Sequence, residues 1–187
     1  MFAKYISIIP LLLTASISSA NEAHVHGLAN LTLALEGNAL AIQFESPADN
    51  LIGFEHKAKT EQEIQKIAQA KQVLSATGKV FTFNGTECKS EQVHIDVSDL
   101  LPTKHSHHDD YQHKYKHKHH HKHQHSSHAE ISAEYQFKCQ NPEALLSISF
   151  NTLTQFQGLQ KVNVNWITTI SQGATSLRKN QTLIKLK

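Results

Sequence analysis

The stretch from His105 to His128 is the feature that most constrains how this chain can fold. Eleven of its 24 residues are histidine, and it contains no Leu, Ile, Val, Phe or Met. A segment of this composition cannot bury enough apolar surface to offset the entropy that is lost when it becomes ordered. The composition therefore predicts a long disordered loop over 104–128, inserted into an otherwise folded chain.

Histidine also gives this loop a chemistry. Neutral imidazole is the commonest protein ligand for zinc, copper and nickel ions. We expect several ions to bind with modest affinity, because a disordered run offers overlapping sets of three or four imidazoles. A basic interaction patch formed with the neighbouring lysines, or a solvated spacer, are the other interpretations. The candidate metal ligands in the loop are His105, His107, His108, His113, His117, His119, His120, His121, His123, His125 and His128.

The first twenty residues are typical of a secretory signal peptide. Lys4 precedes an apolar run that includes Ile8 to Leu13, and the small residues Ser18 and Ala20 fit a cleavage site. Residues 21–187 would then form a single domain, because about 140 residues outside the loop suffice for one core. No later stretch reaches the ~18 apolar residues that a membrane helix needs, so no membrane span is expected.

Export determines how the two cysteines are interpreted. Cys88 and Cys139 lie on either side of the histidine-rich loop, and an even pair in an oxidising compartment predicts a disulfide. The alternative is that both thiolates join histidines at one zinc ion. Strict alternation places Cys88 on the outer face of its strand and Cys139 on the inner face. A bridge between them therefore requires a bulge or an irregular start in the first strand.

Hydrophobic periodicity predicts several strands and one convincing helix. Residues 25–44 alternate as a β-hairpin, and 131–139 resumes the period of two after the loop. Thr60 and Glu63 form a capping box ahead of an apolar helical stripe that ends near Gly78. The fold class is therefore α+β, a single domain built on mainly antiparallel β-sheet with one main helix. Further strands are predicted at 80–83, 88–97, 146–150, 162–166 and 183–186.

Three histidines outside the loop are further candidate ligands. His24 and His26 are two residues apart, so on a strand their imidazoles would share one face, about 7 Å apart at Cα, and could bind one ion. Surface histidines at a mobile terminus are the alternative. His56 follows Glu55 just before the predicted helix, where an exposed capping or structural role competes with metal binding.

The sequence favours a binding protein over an enzyme or a nucleic-acid-binding protein. The patterns HExxH, GxSxG, Walker-type and GxGxxG do not occur in it. Catalytic zinc also needs fixed hydrogen-bond partners around its ligands, which a disordered loop lacks. The net charge of the whole chain is only +2, and no interleaving of basic and aromatic residues is present.

Several motifs resemble those of periplasmic zinc-uptake proteins of the zinc-regulated (Zrg) type. The resemblance covers nearly all of the chain after the signal peptide. It implies a periplasmic zinc-binding accessory of a zinc import system at the inner membrane of a Gram-negative bacterium. It also implies that His24, His26, His56 and His128 are ordered ligands. The motifs are HVHG at 24–27, ESPADN at 45–50, GFEH at 53–56 and HAEISAEYQFKC at 128–139.

We therefore expect that the loop captures Zn²⁺ and that the protein assists high-affinity zinc import. Two alternatives remain open. One is sequestration of Ni²⁺ or Cu²⁺, for which imidazole has an equal or greater intrinsic affinity. The other is a pH-dependent envelope-interaction module, in which histidines protonated below pH ~6.5 meet anionic lipid or polysaccharide.

Overall fold

A computed structural model describes residues 25–102 and 129–187 of the chain. Within these two ranges, the regular structure consists of nine strands, three helices and three short 3-10 helices. The strands are β1 (Leu28–Glu36), β2 (Ala39–Pro47), β3 (Phe81–Asn84), β4 (Cys88–Asp96), β5 (Glu130–Cys139), β6 (Ser147–Phe150), β7 (Lys161–Ile167), β8 (Gln172–Arg178) and β9 (Leu183–Lys185). The helices are α1 (Asp49–Ile52), α2 (Glu61–Ser75) and α3 (Thr77–Val80), and the 3-10 helices are Ser98–Leu100, Pro142–Ala144 and Asn151–Thr154.

The described strands form two sheets. The larger has the order β4-β5-β2-β1-β7-β8, and the smaller has the order β3-β6-β9. All neighbouring strands are antiparallel except β1 and β7, which run parallel. A parallel pair needs a long crossover connection, and here the chain from β2 to β6 provides it. The predicted single domain of mainly antiparallel sheet is confirmed, and with few helices in the described residues the domain is mainly β where the sequence predicted α+β.

One face of the larger sheet carries the core. Leu31 and Leu33 of β1 are buried while Thr32 between them is exposed, which is the predicted alternation. Helix α2 covers this face, and the hydroxyl of Tyr135 in β5 donates to the carbonyl of Leu74 at 2.9 Å. Burial raises the pKa of Tyr135. The smaller sheet packs there too, since the ring centroids of Phe81 and Tyr135 lie 5.0 Å apart.

Helix α2 begins at the capping box that the sequence predicted. The Thr60 side chain accepts from the main-chain N–H of Glu63, and the Glu63 side chain accepts from the main-chain N–H of Thr60. The helix buries Ile67, Ala70 and Leu74 against the sheet. This cap fixes the position of Glu63 beside the connector that leads into the helix.

The predicted disulfide is present between Cys88 and Cys139, which lie opposite each other in the register of β4 and β5. The predicted irregularity lies in β4, where the register shifts between Ser90 and Gln92. This extra residue reconciles the alternation of the two strands. The disulfide lies at the end of the hairpin opposite Asp96, and hence away from the points where the histidine-rich segment joins the fold.

Three local predictions are wrong. Strand β1 begins only at Leu28, so His26 lies in a turn and not on the predicted strand, while His24 lies outside the described residues. The preceding Gly27 has φ +83°, a left-handed conformation that ends an extended run. Val80 ends α3 instead of beginning a strand, because an additional helical turn follows α2. Leu146, expected in a strand, lies before β6 and is exposed.

Candidate metal centre

His26 lies in the turn that precedes β1, and its imidazole faces the helix α1. The Nδ1 atom of His26 is 3.1 Å from Oδ2 of Asp49, the first residue of that helix. The His26 side chain is 69% exposed and that of Asp49 is 39% exposed, so a solvated ion can reach the imidazole. A histidine and its carboxylate partner therefore stand together at the surface of the folded domain.

Asn50, the neighbour of Asp49, holds this turn against α1. Its Oδ1 accepts from the main-chain N–H of Gly27 at 2.5 Å. Its Nδ2 donates to the carbonyl of Leu28 at 2.9 Å and to the hydroxyl of Ser46 at 3.1 Å. Asn50 is only 2% exposed, so these bonds form in a site that excludes solvent. The position of His26 thus depends on a buried amide that binds the backbone on both sides of the turn.

The contact with Asp49 determines which nitrogen of His26 can bind a metal ion. A carboxylate only accepts hydrogen bonds, so the proton of the neutral imidazole must be on Nδ1. The lone pair is then on Nε2, to which the described residues make no hydrogen bond. A carboxylate–histidine pair of this kind orients the metal-binding imidazoles of many zinc sites and raises their basicity.

His56 has the same arrangement with a different acceptor. Its Nδ1 lies 3.0 Å from the carbonyl of Lys57, and its ring stacks on Phe54 with the centroids 5.0 Å apart. A carbonyl also accepts only, which again places the proton on Nδ1 and the lone pair on Nε2. Oε1 of Glu63 lies 3.7 Å from that nitrogen. The His56 side chain is 47% exposed.

The connector that carries His56 forms hydrogen bonds with Leu100 and Ala129, which lie on the two sides of the histidine-rich segment in the sequence. The main-chain N–H of Ala58 donates to Leu100 at 2.8 Å, and that of Ala129 donates to Glu55 at 3.4 Å. Ala129 in turn accepts from Ala48 at 2.9 Å, next to α1. We call this region the neck, defined as residues 55–58 with Leu100 and Ala129. His56 therefore lies at the base of the histidine-rich segment.

Two carboxyl groups of the domain, Glu63 and Asp96, have lowered pKa values. The pKa of Glu63 is held below its ordinary value, chiefly because the carboxylate accepts the main-chain N–H of Lys59. The pKa of Asp96 is lowered in the same way by the main-chain N–H of Ser98. His94, on the exposed face of β4, lies opposite Glu134 in β5.

Most of the predicted ligands lie outside residues 25–102 and 129–187. Of the fourteen, only His26 and His56 are described, and in that part of the chain no group of three or more His, Cys, Asp or Glu side chains is placed to hold a metal ion. The signal peptide at 1–20 also lies outside. The other twelve ligands are His24, His105, His107, His108, His113, His117, His119, His120, His121, His123, His125 and His128.

The sequence patterns predict no role for Asp49, for Asn50 or for the Oε1 atom of Glu63, which lies near His56. Asp49 and Asn50 lie within the quoted motif ESPADN, but their partners are 23 residues away, and no periodicity signals such contacts. The capping-box pattern predicts that Glu63 caps the helix, but it does not predict the position of the Oε1 atom, which takes no part in the cap.

Comparison with known proteins places this chain among zinc uptake proteins. A family model described as ZrgA family zinc uptake protein matches residues 23–186, which is nearly the whole chain. The chain therefore belongs to the ZrgA family of zinc uptake proteins. No curated protein matches it. In the described ranges, none of the helices combines the length and apolar character required to cross a membrane.

Proposed function

We propose that this protein captures Zn²⁺ through the histidine-rich segment at 105–128 and assists high-affinity zinc import. Its family supports zinc as the cargo. The segment supports capture, because eleven imidazoles can form about three sets of three or four ligands at one time. Such overlapping sites bind and release ions readily. This property suits a protein that collects metal ions and does not suit metal-dependent catalysis. The protein acts as a binding protein and not as an enzyme.

The observation that carries this proposal is the common state of His26 and His56. Each imidazole has its Nδ1 held by an oxygen acceptor, at 3.1 Å and 3.0 Å, and each leaves Nε2 available at the surface. A fixed tautomer lowers the cost of binding an ion, because the ring need not reorient. We infer that these two histidines, with His24 and His128, receive an ion that the segment has collected.

The neck supports this transfer by its position. His56 lies between the hydrogen bonds that hold Leu100 and Ala129, so an ordered imidazole stands beside both attachments of the segment. His128 is the residue immediately before Ala129 in the chain. An ion released by the segment would therefore meet ordered nitrogen ligands near the folded surface first.

The proposed compartment is the periplasm of a Gram-negative bacterium. Residues 1–20 would act as the signal peptide, and 21–187 would be the exported domain with its loop at 104–128. The Cys88–Cys139 disulfide is in keeping with an oxidising compartment. The partner would be a zinc import system at the inner membrane that faces the periplasm.

Metal analysis of the protein isolated from cells grown with limiting zinc tests this function. We expect bound zinc in excess of nickel and copper, and more of the protein when zinc is scarce. Bound nickel or copper, with production induced by an excess of either metal, would contradict zinc uptake and support sequestration instead. Metal-free binding to anionic vesicles that increases below pH ~6.5 would support an envelope-interaction module.

A further inference from the structure

The two carboxylate oxygens of Glu63 have different surroundings. Oε2 accepts the main-chain N–H groups of Lys59 at 2.7 Å and Thr60 at 3.0 Å, which closes the capping box of α2. Oε1 points to the other side, where Nε2 of His56 lies 3.7 Å away. The cap needs only one oxygen, so the other is available to a ligand.

The distance between Oε1 and Nε2 matches two ligands of one zinc ion. Zinc binds nitrogen and carboxylate oxygen at roughly 2.0–2.2 Å, so two such ligands in tetrahedral geometry stand about 3.4 Å apart. The observed 3.7 Å is within a few tenths of this value. It is longer than the roughly 2.7–3.2 Å at which most N–H···O hydrogen bonds form. The pair is thus spaced for an ion between its members.

Both ligands are held in place without a metal ion. Hydrogen bonding to Lys57 and stacking on Phe54 fix the His56 ring, and two main-chain donors fix the Glu63 carboxylate. The N-terminus of a helix repels a cation, since the exposed N–H groups carry partial positive charge. Here Glu61 and Glu63 in the first turn of α2 counter that charge, and Glu63 also accepts the main-chain N–H of the N-cap residue Thr60.

We propose that His56 Nε2 and Glu63 Oε1 form a divalent-cation site on the folded domain at the neck, with water completing the coordination. This inference rests on the proposed function in taking Zn²⁺ as the ion. A site with two protein ligands binds more weakly than the three- or four-ligand sites that hold zinc permanently. It therefore suits an ion in transit between the segment and a partner.

Nuclear magnetic resonance on the full-length exported protein tests the site, because it resolves individual side chains while the segment also binds. During titration with Zn²⁺, the Nε2 signal of His56 and the carboxyl carbon of Glu63 should shift together and saturate at the same zinc concentration. In Glu63→Gln the apparent affinity of His56 should fall by about tenfold or more. Gln retains a capping oxygen, but its other terminal atom is an amide nitrogen, which only donates and cannot bind zinc.

Glu61→Gln is the matched control: it removes the same charge from the same helical turn but no proposed ligand, so it should weaken the zinc affinity of His56 far less than Glu63→Gln does. If His56 responds equally in Glu63→Gln, or if neither group shifts while other histidines do, the two-ligand site is wrong and capture by the segment stands. If no histidine shifts at all, the proposed function fails as well. Should Glu63→Gln lose helix, the Glu63 carboxyl shift in the parent protein decides the question.

Discussion

The main-chain N–H of Gly27 donates to Oδ1 of Asn50 at 2.5 Å, across 23 residues of sequence. This bond joins the turn that carries His26 to the helix that carries Asp49. The Asn50 amide also donates to Leu28 and Ser46, and the side chain is buried. The orientation of His26, a proposed zinc ligand, therefore depends on the buried side chain of Asn50, which is not itself a proposed ligand.

Replacement of Asn50 should consequently damage both stability and zinc binding. We expect Asn50→Ala to lower the free energy of unfolding by on the order of 3 kcal/mol, because buried groups of the Gly27 turn lose their partner. Urea unfolding measures this loss, and Asn165→Ala on the exposed face of β7 is the control. A loss of stability no larger than that of the control would contradict the role assigned to Asn50.

Removal of the carboxylate of Asp49 tests the tautomer of His26 directly. In Asp49→Ala the imidazole loses the acceptor of its Nδ1 proton, so the two neutral tautomers should become mixed. The affinity of His26 for Zn²⁺ should fall about tenfold, the lower end of the effect of losing such a partner. Long-range proton–nitrogen spectra report both changes, and Asp99→Ala serves as an exposed control. An unchanged Nδ1–H signal in Asp49→Ala would contradict the assignment.

The disulfide should contribute strongly to stability because it joins residues 51 apart in sequence. Closing a loop of this length in the unfolded chain is worth on the order of 4 kcal/mol in the chain-entropy model. Reduction should lower the urea midpoint accordingly, whereas a Cys88→Ser, Cys139→Ser double variant should not respond to reductant. Equal urea midpoints for the oxidised and reduced protein would contradict this stabilising effect of the disulfide.

The lowered pKa of Asp96 predicts a pH-dependent contribution to stability. A carboxyl group whose pKa is lower in the folded state stabilises the fold above its unfolded pKa of about 4, and this contribution disappears as pH falls through the folded pKa. Asp96→Asn should cost no more than about 1 kcal/mol at pH 7, because the group is exposed and screened by water. Urea unfolding at pH 7 and at pH 2 should show that cost shrinking in acid, and a constant cost would contradict the prediction.

Much of the fold follows from short-range patterns in the sequence. The alternation in β1, β2 and β5, the capping box of α2 and the cysteine pair all depend on neighbours in the chain, and the structure confirms them. By contrast, β8 was not predicted, because only Leu177 in it is fully buried. Gly173 is required there, since a Cβ at that position would lie 2.3 Å from the ring of Trp166 in β7.

The candidate site was less accessible to sequence reasoning than the fold. His26 and His56 were predicted as candidate ligands from their local sequence and from a family resemblance, but the acceptors that fix their tautomers could not be predicted. The Asp49 contact spans 23 residues and depends on the turn at Gly27, which Asn50 holds against α1. Long-range contacts of single polar groups leave no periodic trace in a sequence, whereas burial of apolar faces does.

The central claim is that the histidine-rich segment collects zinc and the folded domain holds an ion through ordered histidines. Calorimetric titration with Zn²⁺ of the exported protein and of a variant lacking 105–128 tests it most directly. We expect the deletion to remove most of about three bound ions and to leave weaker binding on the folded domain, which His26→Gln and His56→Gln should each reduce. An unchanged stoichiometry and affinity for Zn²⁺ after the deletion would contradict the claim.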